Sequence, residues 1–359
     1  MGKSELMPFG GRDDDAYDYG LDPGESFEPE EDDEVFDLAQ PHVMTVLGPI
    51  DPGALGFALH HEHVYRRPDP ALVPDPDLWL DDPEAARQEL EIFFAAGGRA
   101  VVDMSPADAG RDARVLLGIA SHSPVHLVIV TGSRTDRFAR PSIERGGDDV
   151  DAIVERNLRE LREGTDGTAV KAGLITAGTS LDAITEAEAL LLSAAGRSAV
   201  LSGAPVSTHT ERGTMALEQV AALAAEGLAP SRIILGHLDV RLTDLPYLLD
   251  VCATGAHVSF DQWSETRYAT DEERARVLVH LADAGHLDQL LVSGDLGRRS
   301  RHLSYGGQLG LAHFCDRVPL TLMDAGFDAP SVKRIFVDNP ARALTIHRPA
   351  PARPDGPPR

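Results

Sequence analysis

The fold is decided by a short run near the start of the chain, Gly56-Phe57-Ala58-Leu59-His60-His61-Glu62-His63. Its first half is apolar, as expected for a strand that is covered on both faces of a parallel sheet. It finishes in a His-x-His pair, and because side chains alternate along an extended chain, His61 and His63 lie on the same side. Enzymes built on (β/α)₈ barrels carry their chemistry at the carboxyl ends of the strands. The run therefore predicts a barrel strand that ends in two metal-binding histidines.

Further apolar runs repeat this pattern and alternate with segments of helical periodicity. Together with the first run they give strand candidates at residues 56–61, 100–104, 126–131, 170–176, 205–209, 232–237, 257–260 and 289–293. Helix boundaries are marked between them, for example by Asp82 before Pro83 and by Gly97-Gly98. An open doubly wound sheet is the rival architecture, but no glycine-rich phosphate fingerprint follows a strand. The pattern favours a closed (β/α)₈ TIM barrel.

The composition supports one large domain with two polar ends. Of the 359 residues, 42% are hydrophobic and 25% are charged, which is enough apolar material for a single core. Much of the net charge of −25 lies near the N-terminus, where residues 30–34 are all acidic. We predict a disordered acidic arm over residues 1–42, the barrel domain over 43–347 and a flexible proline-rich tail over 348–359.

Charge and cysteine content exclude several classes of function. A net charge of −25 opposes binding to nucleic acids and to anionic membranes. No segment reaches the roughly 18 apolar residues of a membrane span, and no signal-peptide pattern opens the chain. The two cysteines, Cys252 and Cys315, are too few for a disulfide framework. We therefore expect a cytoplasmic protein that acts on a small-molecule substrate, with a homodimer left open.

More polar residues at the ends of predicted strands complete a metal-binding set. His209 ends strand five, His237 ends strand six and Asp295 follows strand eight. A single histidine at a strand end is more often structural, but imidazoles and a carboxylate together favour a zinc, manganese, cobalt or iron site. The predicted ligands are His61, His63, His209, His237 and Asp295. We interpret the neighbouring His60 and Glu62 as packing and hydrogen-bonding residues.

Several ordered blocks of sequence resemble the phosphotriesterase family and its related lactonases. They extend over residues 43–346 and comprise Gly48-Pro49-Ile50, Leu55-Gly56-Phe57, His61-Glu62-His63, Gly110-Arg111-Asp112, Lys171-Ala172-Gly173, Ser207-Thr208-His209-Thr210, Gly236-His237, Ser259-Phe260-Asp261, Asp271-Glu272-Glu273-Arg274, Tyr305-Gly306-Gly307 and Asn339-Pro340-Ala341-Arg342. The resemblance implies an amidohydrolase-like (β/α)₈ TIM barrel with a two-metal site, in which His61, His63 and Asp295 hold the more buried metal and His209 and His237 the more exposed one. It also implies that Asp295 accepts the proton of the nucleophile.

The chain departs from this family at the carboxylate that bridges the two metals. The family supplies it from strand four as a carbamylated lysine or a glutamate, whereas Thr176, or with a one-residue shift Ala177, stands there in this chain. Neutral imidazoles and the single charge of Asp295 do not offset two dications. We therefore predict one tightly bound divalent transition metal, with Zn²⁺ as the first expectation, and a second metal that is weak or absent. His237 and Asp295 are the predicted catalytic residues, His237 to orient the water or act as general acid and Asp295 to act as base.

The predicted substrate side also departs from the lactonase pattern. Ser133-Arg134 and Gln262-Trp263 stand where lactonases usually carry a tyrosine and an arginine. Arg134 and Arg298 are predicted to bind an anionic substrate group, and Trp263 and Tyr268 to wall the pocket. The expected function is metal-dependent hydrolysis of a lactone, carboxylic ester, amide or phosphoester. A lyase or isomerase on the same scaffold, and a weakened family member that acts by binding, are the alternatives.

Overall fold

In a computed structural model, which describes residues 36–146 and 149–348, eight parallel strands form one sheet that is rolled into a barrel. Each strand pairs with its neighbours in sequence, so the sheet order follows the chain order. This confirms the predicted (β/α)₈ TIM barrel. A short antiparallel hairpin, β1 (Val43–Thr45) and β2 (Gly48–Ile50), precedes the barrel. The barrel strands are β3 (Ala58–Glu62), β4 (Ala100–Asp103), β5 (His126–Gly132), β6 (Leu174–Thr179), β7 (Val206–Thr210), β8 (Ile233–Leu235), β9 (His257–Phe260) and β10 (Leu290–Val292).

Helices lie between the strands and begin where the sequence provides caps. The Asp82 side chain accepts hydrogen bonds from the backbone N–H groups of Glu84 and Ala85, so the first helix begins at Pro83 as predicted. Within the described residues the helices are α1 (Pro83–Ala95), α2 (Ala113–Ala120), α3 (Asp136–Gly146), α4 (Val150–Arg162), α5 (Glu186–Ser202), α6 (Ala216–Ala225), α7 (Leu245–Ala253), α8 (Asp271–Leu281), α9 (His313–Asp316), α10 (Val318–Ala325), α11 (Ala329–Lys333) and α12 (Asn339–Leu344).

The two ends of the barrel are built differently. At the amino-terminal end, the N–H of Val46 donates to the carbonyl of Leu127 at 2.7 Å, which fixes the β1–β2 hairpin against the start of β5. At the carboxyl-terminal end, the first and last strands meet, and the N–H of Asp295 donates to the carbonyl of His61 at 3.1 Å. The hairpin thus covers one end, and two predicted site residues lie at the seam of the other.

One strand lies further along the chain than predicted. β6 spans Leu174–Thr179, whereas the apolar pattern predicts residues 170–176. Its last residues are held by β7, because Gly178 pairs with His209 and Thr179 pairs with Thr210. Glycine and threonine carry little hydrophobic signal, so the sequence pattern ends before the strand does.

The predicted arm, residues 1–42, and the predicted tail, residues 348–359, fall largely outside the described residues and stay predictions, as do the limits 43–347 of the barrel domain. The described residues before β1 include His42, which forms a β-bridge with Ile346 and contacts the ring of Phe36 edge-on at 5.8 Å. Over residues 36–146 and 149–348, no helix combines the length and the apolar character that crossing a membrane requires.

Candidate metal centre

A cavity of about 240 Å³ lies at the carboxyl-terminal ends of the barrel strands. Loops that follow parallel barrel strands share one face, which is why residues distant in sequence meet there. Three of the other predicted site residues, Thr176, Arg134 and Arg298, line this cavity. So do all the predicted metal ligands, His61, His63, His209, His237 and Asp295.

Two histidine Nε2 atoms face the same carboxylate oxygen. Asp295 Oδ1 lies 3.3 Å from His63 Nε2 and 3.8 Å from His61 Nε2. Burial raises the pKa of Asp295, but a hydrogen bond from His63 and the charges of the neighbouring histidines outweigh burial and hold the pKa well below its ordinary value. Imidazole nitrogens that converge on an anionic carboxylate are the donor set of a divalent transition metal such as zinc. The residues present therefore fit such a metal.

Asp261, which follows β9, was given no role from the sequence and lies behind this cluster. Its Oδ1 lies 2.7 Å from His237 Nδ1, and its Oδ2 lies 3.2 Å from His61 Nδ1. Ligand atoms of His61, His237 and Asp261 all lie within 4.8 Å of one another, so these three also form a candidate metal group. We favour a positioning role, because a carboxylate at Nδ1 holds the proton there and leaves Nε2 to bind the metal. The signal for Asp261 is its place after a barrel strand, which also identified His237 and Asp295.

The charge of Asp261 is stabilised although the side chain is fully buried. Ser259 Oγ donates to its Oδ2 at 2.7 Å, and the N–H of His237 lies 3.0 and 3.2 Å from its two oxygens. Burial raises the pKa of Asp261 and lowers that of His237, but the attraction between them outweighs burial. The pKa of Asp261 is therefore held well below its ordinary value, and that of His237 is raised to about 9.

The backbone is strained at two of the site residues. His237 has a φ of 60° and Asp295 a φ of 46°, in the left-handed region that costs a non-glycine residue roughly 1–3 kcal/mol. The loop around Asp295 is held by Glu62, which is fully buried and accepts hydrogen bonds from the N–H groups of Gly294 at 2.6 Å and Leu296 at 2.9 Å. Glu62 is thus a structural hydrogen-bond acceptor, as interpreted from the sequence, and it positions Asp295.

Serine hydroxyls orient two further histidines: His60 within β3 and His63, which directly follows β3. His63 Nδ1 lies 2.7 Å from Ser105 Oγ, and the N–H of Ser105 donates to Asp103 Oδ1 at 2.9 Å. His60 is fully buried, and its Nε2 lies 2.7 Å from Ser259 Oγ, on the side away from the cavity. The first barrel strand therefore presents His61 and His63 to the cavity and keeps His60 in the core.

The β6 side of the cavity lacks a carboxylate at the expected bridging position. Thr176 lines the cavity, and Ala177 is fully buried. Among the described residues that line the cavity, the carboxylates are Asp295 and Glu265. Glu265 Oε2 accepts a hydrogen bond from Arg301 Nη1 at 3.0 Å, so its charge is already paired.

His209 and Gln262 complete the polar lining. The ring of His209 lies 4.6 Å from that of His237, and its Nε2 lies 3.2 Å from Glu211 Oε2. The amide of Gln262 donates to Asp295 Oδ2 at 2.8 Å and lies 3.2 Å from His237 Nδ1. Gln262 therefore orients Asp295 and lies beside the ring of His237.

Two of the four predicted substrate-binding residues line the cavity, and the other two do not. Arg298 lines the cavity, but its Nη1 lies 2.9 Å from Asp75 Oδ2 and 3.3 Å from Asp77 Oδ2. Trp263 is fully buried and Tyr268 is 39% exposed, and neither of them lines the cavity. Arg134 lines the cavity and stacks over the ring of Phe138, with 3.7 Å from Cζ to the ring centroid.

Comparison with known proteins points to a single family. The phosphotriesterase family profile matches residues 41–344. The phosphotriesterase homology protein of Escherichia coli is 32% identical over 288 residues, which cover 80% of this chain and 97% of that protein. A phospho-furanose lactonase of Mycoplasmopsis synoviae is 31% identical, over 84% of this chain and 91% of its own length. The crystal structure of a lactonase from Listeria monocytogenes is similar with a TM-score of 0.81 and 32% identity, and the match covers 85% of this chain and 99% of that one.

Proposed function

The chain belongs to the phosphotriesterase family and is a hydrolase, and we propose that it cleaves an ester-like bond of a small molecule with a water activated by a divalent transition metal. The bond is a lactone, carboxylic ester, amide or phosphoester. Two of the similar proteins are lactonases, so lactones are the first substrates to test. Ser133-Arg134 and Gln262-Trp263 stand where lactonase-like members of the family usually carry a tyrosine and an arginine, which argues against a typical acyl-homoserine lactonase.

The observation that carries this proposal is the position of Asp295 Oδ1, which lies 3.8 and 3.3 Å from the Nε2 atoms of His61 and His63. In the proposal these three residues hold the tight metal, with His209 and His237 beside it. A bound cation of this kind lowers the pKa of water from about 15.7 to about 7 and so supplies a nucleophile at neutral pH. We propose Zn²⁺, because imidazole and carboxylate ligands suit it.

Asp295 and His237 move the protons in this proposal. Asp295 accepts the proton of the attacking water, and the hydrogen bond from Gln262 to its Oδ2, at 2.8 Å, fixes the orientation of the carboxylate. His237 orients the water or protonates the leaving group. Asp261, 2.7 Å from His237 Nδ1, keeps the ring in the orientation that either role requires.

The proposed site holds one metal tightly. Two dications about 3.5 Å apart repel each other by about 19 kcal/mol at an effective dielectric constant of about 20. Thr176 and Ala177 contribute no charge to offset this repulsion, and Glu265 is paired with Arg301. A second metal is therefore expected to be weak or absent.

Two measurements on the full-length protein test the proposal. Elemental analysis after purification without chelators should find about one transition metal per chain, and a lactone and ester panel should be hydrolysed with incorporation of ¹⁸O from labelled water. Turnover without ¹⁸O incorporation would instead support a lyase or isomerase on the same scaffold. Protein that contains neither metal nor activity would support a weakened family member that acts by binding.

The cellular context remains part of the proposal. Cys252 and Cys315 are free thiols, and Cys252 is buried, as is usual for a protein of a reducing compartment. We therefore propose a cytoplasmic location and a small-molecule substrate, with a homodimer left open.

A further inference from the structure

Arginines surround the metal cavity, but most of them are already paired with carboxylates. Arg298 lies beside Asp75 and Asp77, while Arg301 and Arg267 lie 3.0 and 3.5 Å from Glu265. Two other lining arginines, Arg66 and Arg134, differ. Among the described residues, no carboxylate lies within ion-pair distance of either guanidinium.

Arg66 is 6% exposed and is held by carbonyl groups. Its Nη2 donates to the carbonyl of Gly297 at 2.6 Å, and its Nε donates to that of Leu78 at 3.0 Å. A carbonyl orients a guanidinium but does not neutralise it. Burial lowers the pKa of Arg66 to about 10, which leaves the group charged at neutral pH. The cavity therefore contains a fixed, buried positive charge.

Arg134 is oriented by an aromatic ring rather than by an anion. Its Cζ lies 3.7 Å from the ring centroid of Phe138. Its Nε is buried and has no hydrogen-bond partner among the described residues. A buried donor without a partner is unfavourable, so an acceptor that enters the cavity would be bound favourably there. The guanidinium is preorganised to bind such an acceptor, because stacking on Phe138 limits its movement.

The carboxylates around these two arginines are engaged by other groups. The charge of Asp295 acts on both Arg66 and Arg134, but Asp295 Oδ1 faces His61 and His63, and its Oδ2 accepts from Gln262. Asp103 also acts on Arg66 and Asp108 on Arg134, but neither carboxylate pairs with the guanidinium: Asp103 accepts from backbone N–H groups, and Asp108 accepts from the Ser133 hydroxyl and the Arg134 N–H. With a dication bound to Asp295, neither guanidinium would have a free carboxylate within ion-pair distance among the described residues. Uncompensated charges in a poorly solvated cavity favour an anionic ligand.

We infer that Arg66 and Arg134 form a subsite for an oxyanion substituent of the substrate: a phosphate, sulfonate or carboxylate group remote from the bond that is cleaved. Planar guanidinium groups donate paired hydrogen bonds to oxyanions of this shape. Both arginines also line an adjoining cavity of about 170 Å³, together with Leu72, Leu78 and Phe138. The subsite thus lies between the metal cavity and a mainly apolar recess. The inference rests on the proposed hydrolase site for the identity of its ligand as a substrate.

Binding of inorganic phosphate tests the subsite without requiring turnover. We would titrate the full-length protein by calorimetry, both as purified and after treatment with a chelator, and compare Arg134→Met with Arg299→Met. Arg299 lies on the Arg298 loop outside the cavity and pairs with Asp81, so it is a matched control. We expect Arg134→Met to weaken phosphate binding by tenfold or more in both states of the protein and Arg299→Met to change it less than twofold. Arg134→Lys, which keeps the charge, should retain part of the affinity, and it also serves if Arg134→Met does not fold.

A pair of lactones that differ only in a phosphate or a hydroxyl substituent provides the second test. Arg134→Met should raise KM for the anionic lactone at least tenfold more than KM for the neutral lactone. If phosphate binding depends on Arg134 but no substrate is cleaved, the subsite stands and the hydrolase proposal fails. If lactones are cleaved but phosphate binding and the preference for the anionic lactone are the same in the wild type and Arg134→Met, the subsite is wrong and the hydrolase proposal stands. Phosphate binding that requires metal and is insensitive to Arg134 would also overturn the subsite.

Discussion

The two sides of the metal cavity differ in how firmly they hold their side chains. On the β3 and β10 side, His61 and His63 are 5% and 6% exposed; Asp261 Oδ2 lies 3.2 Å from His61 Nδ1, and Ser105 Oγ lies 2.7 Å from His63 Nδ1. On the β6 and β7 side, the side chain of His209 is 31% exposed and Thr176 carries no charge. We infer that the two sides have different roles. The β3 and β10 side, called the firm side below, supplies metal affinity, and the β6 and β7 side, called the weak side, leaves room for the substrate.

The largest expected effect comes from breaking the firm side at its carboxylate. Asp295→Asn keeps the size of the side chain. It removes the negative charge that faces the Nε2 atoms of His61 and His63, and it also removes the proposed catalytic base. Loss of a general base alone costs about 10²- to 10⁴-fold in rate, and loss of metal adds to it. We expect kcat/KM to fall by about three orders of magnitude or more, with bound metal lost on dialysis.

The control for Asp295→Asn is a measurement of whether the variant still folds. Glu62 holds the backbone around position 295 through Gly294 and Leu296, and neither hydrogen bond uses the Asp295 side chain. The circular dichroism spectrum and the melting temperature should therefore stay close to those of the wild type. Full activity of a metal-saturated Asp295→Asn protein would remove Asp295 from the role of base.

A smaller effect is expected behind the ligands, at Asp261. Asp261→Asn keeps a hydrogen-bond acceptor beside His61 and His237 but removes the charge that orients both rings. Substitution of such outer partners typically costs about 10- to 100-fold in metal affinity or activity. Metal affinity from competition with a chelating dye, together with kcat, measures the effect.

Asp261→Asn also separates the two candidate metal groups. If Asp261 is itself a ligand, as the proximity of its oxygens to His61 and His237 allows, the loss of metal should match that of Asp295→Asn. A loss confined to the 10- to 100-fold range would support the positioning role. Ser105→Ala, which removes the partner of His63 Nδ1 at 2.7 Å, is a matched comparison on the neighbouring ring.

A third variant tests whether the weak side binds metal poorly because it lacks an anionic side chain. Thr176 lines the cavity, so Thr176→Lys, if carbamylated, should raise the affinity for a second metal and move stoichiometry from about one toward two per chain. Ala177→Glu is the control, because Ala177 is fully buried and does not line the cavity. It should lower the melting temperature and add no metal. Two equally tight metals in the unmodified protein would show that a bridging anion comes from elsewhere.

The sequence correctly predicts that the five proposed ligands lie at one cavity, because barrel topology determines where strand ends meet. Once His61, His63, His209, His237 and Asp295 are recognised as residues at strand ends, closure of the barrel brings them to one face without further information. The same rule would have identified Asp261. The sequence does not distinguish the roles of Asp261 and Asp295. Whether a carboxylate faces Nδ1 or Nε2 of a histidine depends on the orientation of the ring, which the spacing of residues does not determine.

Contacts between loops account for what the sequence does not predict. Arg66 becomes part of the cavity because it reaches the carbonyl of Gly297, a contact between loops 231 positions apart. Arg298 looks like a free cation in the sequence, but the loop that carries Asp75 and Asp77 pairs with it. Trp263 was predicted to wall the pocket, yet its side chain lies in the protein interior. Loop side chains have no periodicity that fixes their direction, so these assignments need coordinates.

The smallest expected effect concerns His209, the predicted ligand on the weak side. Its ring lies 4.6 Å from that of His237, and its Nε2 lies 3.2 Å from Glu211, whose side chain is 46% exposed. Burial of the imidazole lowers the pKa of His209, so the ring is neutral at pH 7 and contributes no charge to repel a metal. Because the anion and two converging Nε2 atoms belong to the other side, His209→Ala should weaken the tight metal by less than about tenfold, a loss of up to roughly 1.4 kcal/mol. His61→Ala, measured by the same dye competition, should lose the metal altogether. Equal losses of metal affinity in His209→Ala and His61→Ala would mean that both sides of the cavity hold the metal. The inference that the firm side alone supplies metal affinity would then be wrong.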